Sequence, residues 1–197
     1  MPIIETSILQ KAYTFDQYIT HLNHLLLDNK TTGDNHSQEM LKYTKLNVQR
    51  MTRMYKTISP QQNIAPLLEK LAHTHYWILI TEAWCGDAGQ STGVIATLAQ
   101  KTNINLHILL RDENLPLMDQ FLTNGGRAIP ILLVVDKITH EVQKHWGPRP
   151  AALQTQVIEW KKDTNLTHEH FLEQIHTWYT QDKSQSIQQE LHQLFIS

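Results

Sequence analysis

Any covalent chemistry in this chain has to begin from one thiol. Cys85 is the only cysteine in 197 residues, so a disulfide scaffold, a multi-cysteine metal site and a self-contained dithiol couple are excluded within the chain. It stands in Thr81-Glu82-Ala83-Trp84-Cys85-Gly86-Asp87-Ala88, between an apolar run of strand formers and a segment with helical character. This places it beyond the carboxyl end of a strand and at the amino terminus of a helix, where open α/β sheets hold ligands. Unpaired amides and the positive end of the helix dipole favour the thiolate, which is the nucleophilic form. Placement alone makes Cys85 a credible reactive residue. Asp87, in the first helical turn, suits the helix terminus but opposes a neighbouring thiolate unless it moves a proton. The competing reading of a lone cysteine is a small buried hydrophobe.

Three arginines stand near the expected site. Arg111, Arg127 and Arg149 lie in loops or beyond strand ends, placed to meet the carboxylates of a glutathione-like thiol, to stabilise Cys85, or to form local salt bridges, as Arg111 would with Asp112 or Glu113. The basic run Lys42, Lys45, Arg50, Arg53 and Lys56 reads as a solvated helix face. The chain has 12 histidines, but His21/His24, His73/His75 and His168/His170 lack a helical His-Glu-x-x-His arrangement and a third ligand at metal spacing, so no metal is expected. A serine-nucleophile elbow and a phosphate-binding loop are absent, and Gly125-Gly126 reads as a tight loop rather than part of a dinucleotide fingerprint. No cofactor is expected. The formal net charge of −2 gives no overall attraction to nucleic acid or an anionic membrane. The longest apolar runs, such as Ile131 to Val135, fall far short of the ~20 residues of a membrane span. Without a basic-then-apolar leader at Met1-Pro2-Ile3-Ile4, the expected location is the cytoplasm.

The elements that must position Cys85 follow from periodicity. Phe15, Tyr18, Ile19, Leu22, Leu25 and Leu26 mark one amphipathic helix, and Val48, Met51, Tyr55 and Ile58 a second over about Ser37 to Ile58. Ser59-Pro60 looks like a helix cap with its first turn, and Ala65-Pro66 like the opening of a short helix through Leu71. Tyr76 to Ile80 reads as a strand covered on both faces. A helix from about Cys85, a strand at Leu106 to Leu110, a helix at Leu115 to Leu122 and strands at Ile129 to Val135 and Glu141 to Trp146 come next. Helices are expected around Ala151 to Lys161 and Thr167 to Gln181, with a last amphipathic stretch carrying Ile187, Leu191 and Phe195. Gln181 to Ser186 is the one candidate hinge. The terminal stretch is free to dock on its own chain or on a second copy.

Order and motif together resemble the thioredoxin superfamily. Trp84-Cys85-Gly86 matches the first half of its Trp-Cys-Gly-x-Cys motif, and Ile129-Pro130 matches its cis-proline dipeptide. Cys-Gly-Asp-Ala, Leu-Arg-Asp-Glu-Asn, Gly-Gly-Arg-x-Ile-Pro and Trp-Gly-Pro-Arg-Pro together resemble a bacterial thioredoxin-like branch with helical extensions. The resemblance implies a three-layer α/β/α sandwich with a mixed sheet: a helical extension over 1–70, a core over 71–147 and C-terminal helices over 148–197, all one domain. It also implies Cys85 as the attacking thiol. Trp84, Gly86, Asp87, Ile129, Pro130 and Arg127 would line the substrate site. Two departures constrain the chemistry: Ala88 stands where the family's second cysteine would be, and Leu79 where a buried aspartate would be. The implied partners are a disulfide-bearing protein or small mixed disulfide, and an external small thiol such as glutathione. The alternative from another class is a non-catalytic peptide- or protein-binding module, or a thiol sensor modified at Cys85.

Overall fold

In the computed structural model, which describes residues 2–196, four strands form one mixed sheet. These are β1 (His75–Thr81), β2 (Leu106–Leu110), β3 (Ile131–Asp136) and β4 (Val142–Trp146), in the spatial order β2-β1-β3-β4. β1 runs parallel to β2 and antiparallel to β3, and β3 is antiparallel to β4. The parallel pair requires a long crossover, supplied by α5 (Gly86–Lys101).

Alternation along β1 sorts the two core layers, because successive side chains of a strand point to opposite faces. Trp77 and Leu79 enter the larger cluster; Tyr76, Ile78 and Ile80 enter the smaller one. The larger layer is built from α2 (Phe15–Leu27), α3 (Gln38–Thr57), α4 (Ala65–Thr74), α5, α7 (Ala151–Trp160), α8 (His168–Asp182) and α9 (Gln185–Ile196). The smaller is covered by α1 (Thr6–Leu9) and α6 (Leu115–Met118), one turn each. The three-layer sandwich with terminal helical extensions is therefore present but lopsided, with most of its helical mass on one face.

Local chemistry fixes the boundaries. Thr14 and Gln17 form a reciprocal capping box at the start of α2, which satisfies two amides that the first turn would otherwise leave unpaired. Ser37 and Thr167 cap α3 and α8 in the same one-sided way. Ser59-Pro60 does not open a helix: the chain is non-helical there, and α4 begins at Ala65 with Pro66 in its first turn. The helix expected over Leu115 to Leu122 closes after Met118 into tight turns. β3 begins at Ile131 rather than Ile129, since Pro130 has no N–H to give the ladder. The expected hinge is instead a tight left-handed turn at Lys183 and Ser184, with Ser184 buried. Beyond it α9 docks on its own chain: Ile187 and Leu191 are buried, and Phe195 stacks on Trp77 with ring centroids 6.2 Å apart.

The tightest helix pair is α3 on α5. A Cβ at Gly89 would lie 2.3 Å from Asn47 Oδ1, and one at Gly93 would lie 2.3 Å from the Met51 carbonyl oxygen. Glycine at these two positions, one turn apart, lets the backbones approach and carries an N-terminal helix onto the Cys85 segment.

Candidate functional site

Cys85 is the N-cap of α5, in extended backbone, with its side chain partly exposed. The strand-to-helix placement expected from the sequence is the one observed. The Cys85 Sγ donates to the Ile129 carbonyl oxygen at 3.3 Å, and the Ile129-Pro130 peptide bond is cis. Cys85 and the dipeptide expected to face it, separated by 44 residues in sequence, are thus in contact.

The thiol's acidity runs against the simple helix-terminus expectation. Burial pushes the Cys85 thiol up to about 12, and the Asp87 carboxylate pushes the same way. The backbone amides of Ala88 and Asp87 and the Arg149 guanidinium oppose them without prevailing. The dipole effect is present, but desolvation of a charged sulfur in a nearly closed site is larger.

Asp87 is buried and doubly held. The Tyr179 hydroxyl donates to its Oδ1 at 2.8 Å, and Arg149 pairs with its Oδ2. Burial raises the Asp87 pKa, while Arg149 and the Tyr179 hydroxyl pull it down. Arg149 follows the second cis bond, Gly147-Pro148. Gly147 has φ +121°, and a Cβ there would lie 2.2 Å from the Pro130 carbonyl oxygen. Only glycine satisfies both conditions, so the turn that aims Arg149 at Asp87 is pressed against the proline that faces Cys85.

The helices outside the central sheet supply groups to which the sequence assigned no place at the site. The buried Asn47 of α3 donates from Nδ2 to the Ala83 and Cys85 carbonyl oxygens, at 2.9 and 3.0 Å. Arg50, expected on a solvated face, instead turns inward and reaches Asn47 Oδ1 at 3.2 Å and His176 Nε2 at 3.4 Å. His176 of α8 lies against Gly86, 3.3 Å from where a Cβ would stand. Its pKa falls to about 4, through burial first and the Arg50 charge second. A cleft of about 1090 Å³ between α3 and α8 ends on this histidine. One signal for Asn47 was available in the sequence: it shares the inward stripe of α3 with Val48 and Met51, where a polar residue needs a partner.

The remaining candidates take up distinct places. Trp84 is partly buried, with the Arg111 guanidinium 4.9 Å above its ring. Arg111 is also paired with Asp112 at 2.8 Å and donates to the Arg127 carbonyl. Arg127 forms a two-pronged pair with Asp119 at 2.6 and 2.9 Å. Leu79 is fully buried apolar core. No cluster of three or more metal-ligating side chains is found among the described residues. Nor is any described helix long and apolar enough to cross a membrane.

A family model described as thioredoxin matches residues 33–162. The chain belongs to the thioredoxin family. The match begins before α3 and ends after α7, so the N-terminal helix that grips Cys85 lies within the thioredoxin unit, while Tyr179 and His176 come from beyond it. Among solved structures, this thioredoxin-family chain is similar to an HIV epitope-scaffold: 15% identity, covering 86% of this chain and 93% of that one, TM-score 0.54. It is also similar to a protein of unknown function from Pseudomonas aeruginosa: 18% identity, covering 89% and 95%, TM-score 0.52. Both likenesses concern the fold. No curated protein matches the chain.

Proposed function

We propose that this thioredoxin-family chain is a monothiol exchange protein that acts on mixed or protein disulfides through Cys85. The observation that carries the proposal is the contact of Cys85 with Ile129 beside a buried carboxyl group held by Arg149 and Tyr179. The thiol rests protonated, and Asp87 is the base that takes its proton as the sulfur attacks. In the first step Cys85–SH and R–S–S–R′ give Cys85–S–S–R and R′SH, the proton passing by way of Asp87 to the departing sulfur. In the second, an external thiol R″SH attacks the adduct, releasing R–S–S–R″ and restoring Cys85–SH. Glutathione or a related small thiol is the expected R″SH, which sets the reaction in a reducing compartment such as the cytoplasm. Trp84 and Gly86 form the lip of the site, and the backbone at Ile129 and Pro130 orients the disulfide. Arg127 stands at the loop leading into that dipeptide.

A second reading draws on the thiol being pushed up to about 12. A group so rarely ionised suits a site that holds an extended peptide along Ile129 and Pro130 without turnover. One assay separates the two: reduction of a glutathione mixed disulfide by excess glutathione, comparing wild type with Cys85→Ser. Turnover lost in the variant supports exchange. Absence of Cys85-dependent turnover with any small thiol, together with retained peptide binding, sinks the exchange reading in favour of the binding module.

A further inference from the structure

Of the five arginines, three are paired with carboxylates: Arg111 with Asp112, Arg127 with Asp119 and Arg149 with Asp87. Arg50 has no such partner among the described residues. It is only partly exposed, and burial first and the Arg53 charge second work against its cation. Its hydrogen bonds go to neutral acceptors through one nitrogen, Nη1, which donates to Asn47 Oδ1 at 3.2 Å and meets His176 Nε2 at 3.4 Å. A guanidinium can only donate, so Nε2 of the neutral imidazole accepts and the ring proton lies on Nδ1, which is buried without a partner. Asn47 is fully used, its Nδ2 going to the Ala83 and Cys85 carbonyl oxygens. What the cluster has left over is donors and one positive charge, the complement of a carboxylate. It also adjoins the thiol segment on two sides. The Asn47 amide stands between the guanidinium and the Cys85 carbonyl, which puts Nη1 within about 9 Å of that oxygen. His176 Cε1 lies 3.3 Å from where a Cβ of Gly86 would stand. A glutathionyl group held on Cys85 by a disulfide bond covers that span with its side chain, a peptide arm at about 3.3–3.6 Å per residue and a closing hydrogen bond.

We infer that Arg50 is the receptor for a substrate carboxylate, and that it selects acidic, glutathione-like disulfides for Cys85. The selection rests on the exchange reading above; the carboxylate site does not. The retained half of such a disulfide becomes Cys85–S–S–R with its carboxylate on Arg50, while the other half leaves as a thiol carrying the proton from Cys85.

The test follows formation of the Cys85 adduct by mass spectrometry with glutathione disulfide and with the uncharged bis(2-hydroxyethyl) disulfide. The readout is the ratio of the two rates in each protein, so that any general effect of a variant on the thiol cancels. Loss of a charge-assisted contact is expected to lower that ratio about 10-fold in Arg50→Met. Arg53→Gln removes the same charge from an exposed position one turn along α3, and is expected to leave the ratio almost as it is, since salt screens an exposed charge. A ratio unchanged in Arg50→Met, or lowered equally in Arg53→Gln, overturns the subsite while leaving exchange at Cys85 intact. If neither disulfide reacts, exchange fails. In that case, or if Arg50→Met does not fold, S-methylglutathione, which cannot exchange, decides the subsite by NMR titration of the wild-type protein. Shifts of the Arg50 Nε–H and the Gly86 amide that its dimethyl ester does not produce support the site, and no shift, or an equal shift with the ester, overturns it.

Discussion

Asp87 has two opposed effects on Cys85, and they separate by mutation. Its charge helps hold the thiol protonated, while its proposed role is to accept the proton during attack. Asp87→Asn is therefore expected to lower the pH midpoint of Cys85 alkylation by iodoacetamide while slowing disulfide exchange about 100-fold, in the range lost with a general base. A variant that alkylates at lower pH and exchanges as fast as wild type would remove Asp87 from the mechanism. Arg149 acts at the same point. Arg149→Met leaves a buried carboxylate without its ion pair, at an expected cost of ~3–5 kcal/mol near neutrality. Without the guanidinium the Asp87 pKa rises further above its unfolded value, so the cost belongs to the ionised form and shrinks as acidification protonates it. Denaturant unfolding at neutral and acid pH measures both. The cysteine, the tryptophan and the facing proline were legible from sequence because each sits in a contiguous motif. The pairing of Asp87 with Arg149 joins two motifs 62 residues apart, and no local pattern encodes such a contact.

At the scale of elements, the decisive contact is α3 on α5. Periodicity identified α3 by its apolar stripe and its charges, but it weighs apolar residues and so passed over Asn47, the one polar side chain there that ties the helix to the Cys85 loop. Asn47→Ala removes two hydrogen bonds to buried carbonyl groups, at an expected cost of about 1–3 kcal/mol for the groups left unsatisfied, and it should also loosen Cys85. Hydrogen exchange at the Cys85 and Gly86 amides reports the second effect separately from global stability. Gly93→Ala places a methyl group against the Met51 backbone, which only a shift of one helix can relieve, and about 1–3 kcal/mol of destabilisation is expected in thermal or denaturant unfolding. The sheet was readable almost strand for strand, since β1 and β3 are apolar runs buried on both faces, while the more polar β4, with only its ends buried, follows β3 after a brief turn. The misplaced helix start at Ser59-Pro60 shows the limit: a local cap signal yields when the following residues have no apolar stripe to bury.

At the scale of the molecule, the smaller core layer is thin, and stability depends on the helices that close the larger one. Leu191 is fully buried in that core, and Leu191→Ala is expected to cost about 2–5 kcal/mol, showing that α9 is part of the fold rather than an appendage. Acid should act through His176, whose pKa is held at about 4 against ~6.5 in an unfolded chain. The unfolded state takes up a proton first, so stability declines as pH falls through 6.5 toward 4, and the decline ends where the folded form is protonated too. His176→Gln removes that part of the acid profile, which unfolding midpoints across the interval would reveal.

The wiring of Asp87 also imposes an order on how the site comes into being. Its guanidinium partner lies 62 residues downstream and its hydroxyl partner 92. During synthesis, then, Cys85 and Asp87 emerge long before either partner has been made. A nascent chain carries the sulfur and the carboxyl group as separate, solvated side chains, and they become a matched pair only once α8 has left the ribosome and packed. The contacts that hold Asp87 are in this sense completed late, only after α8 has been made.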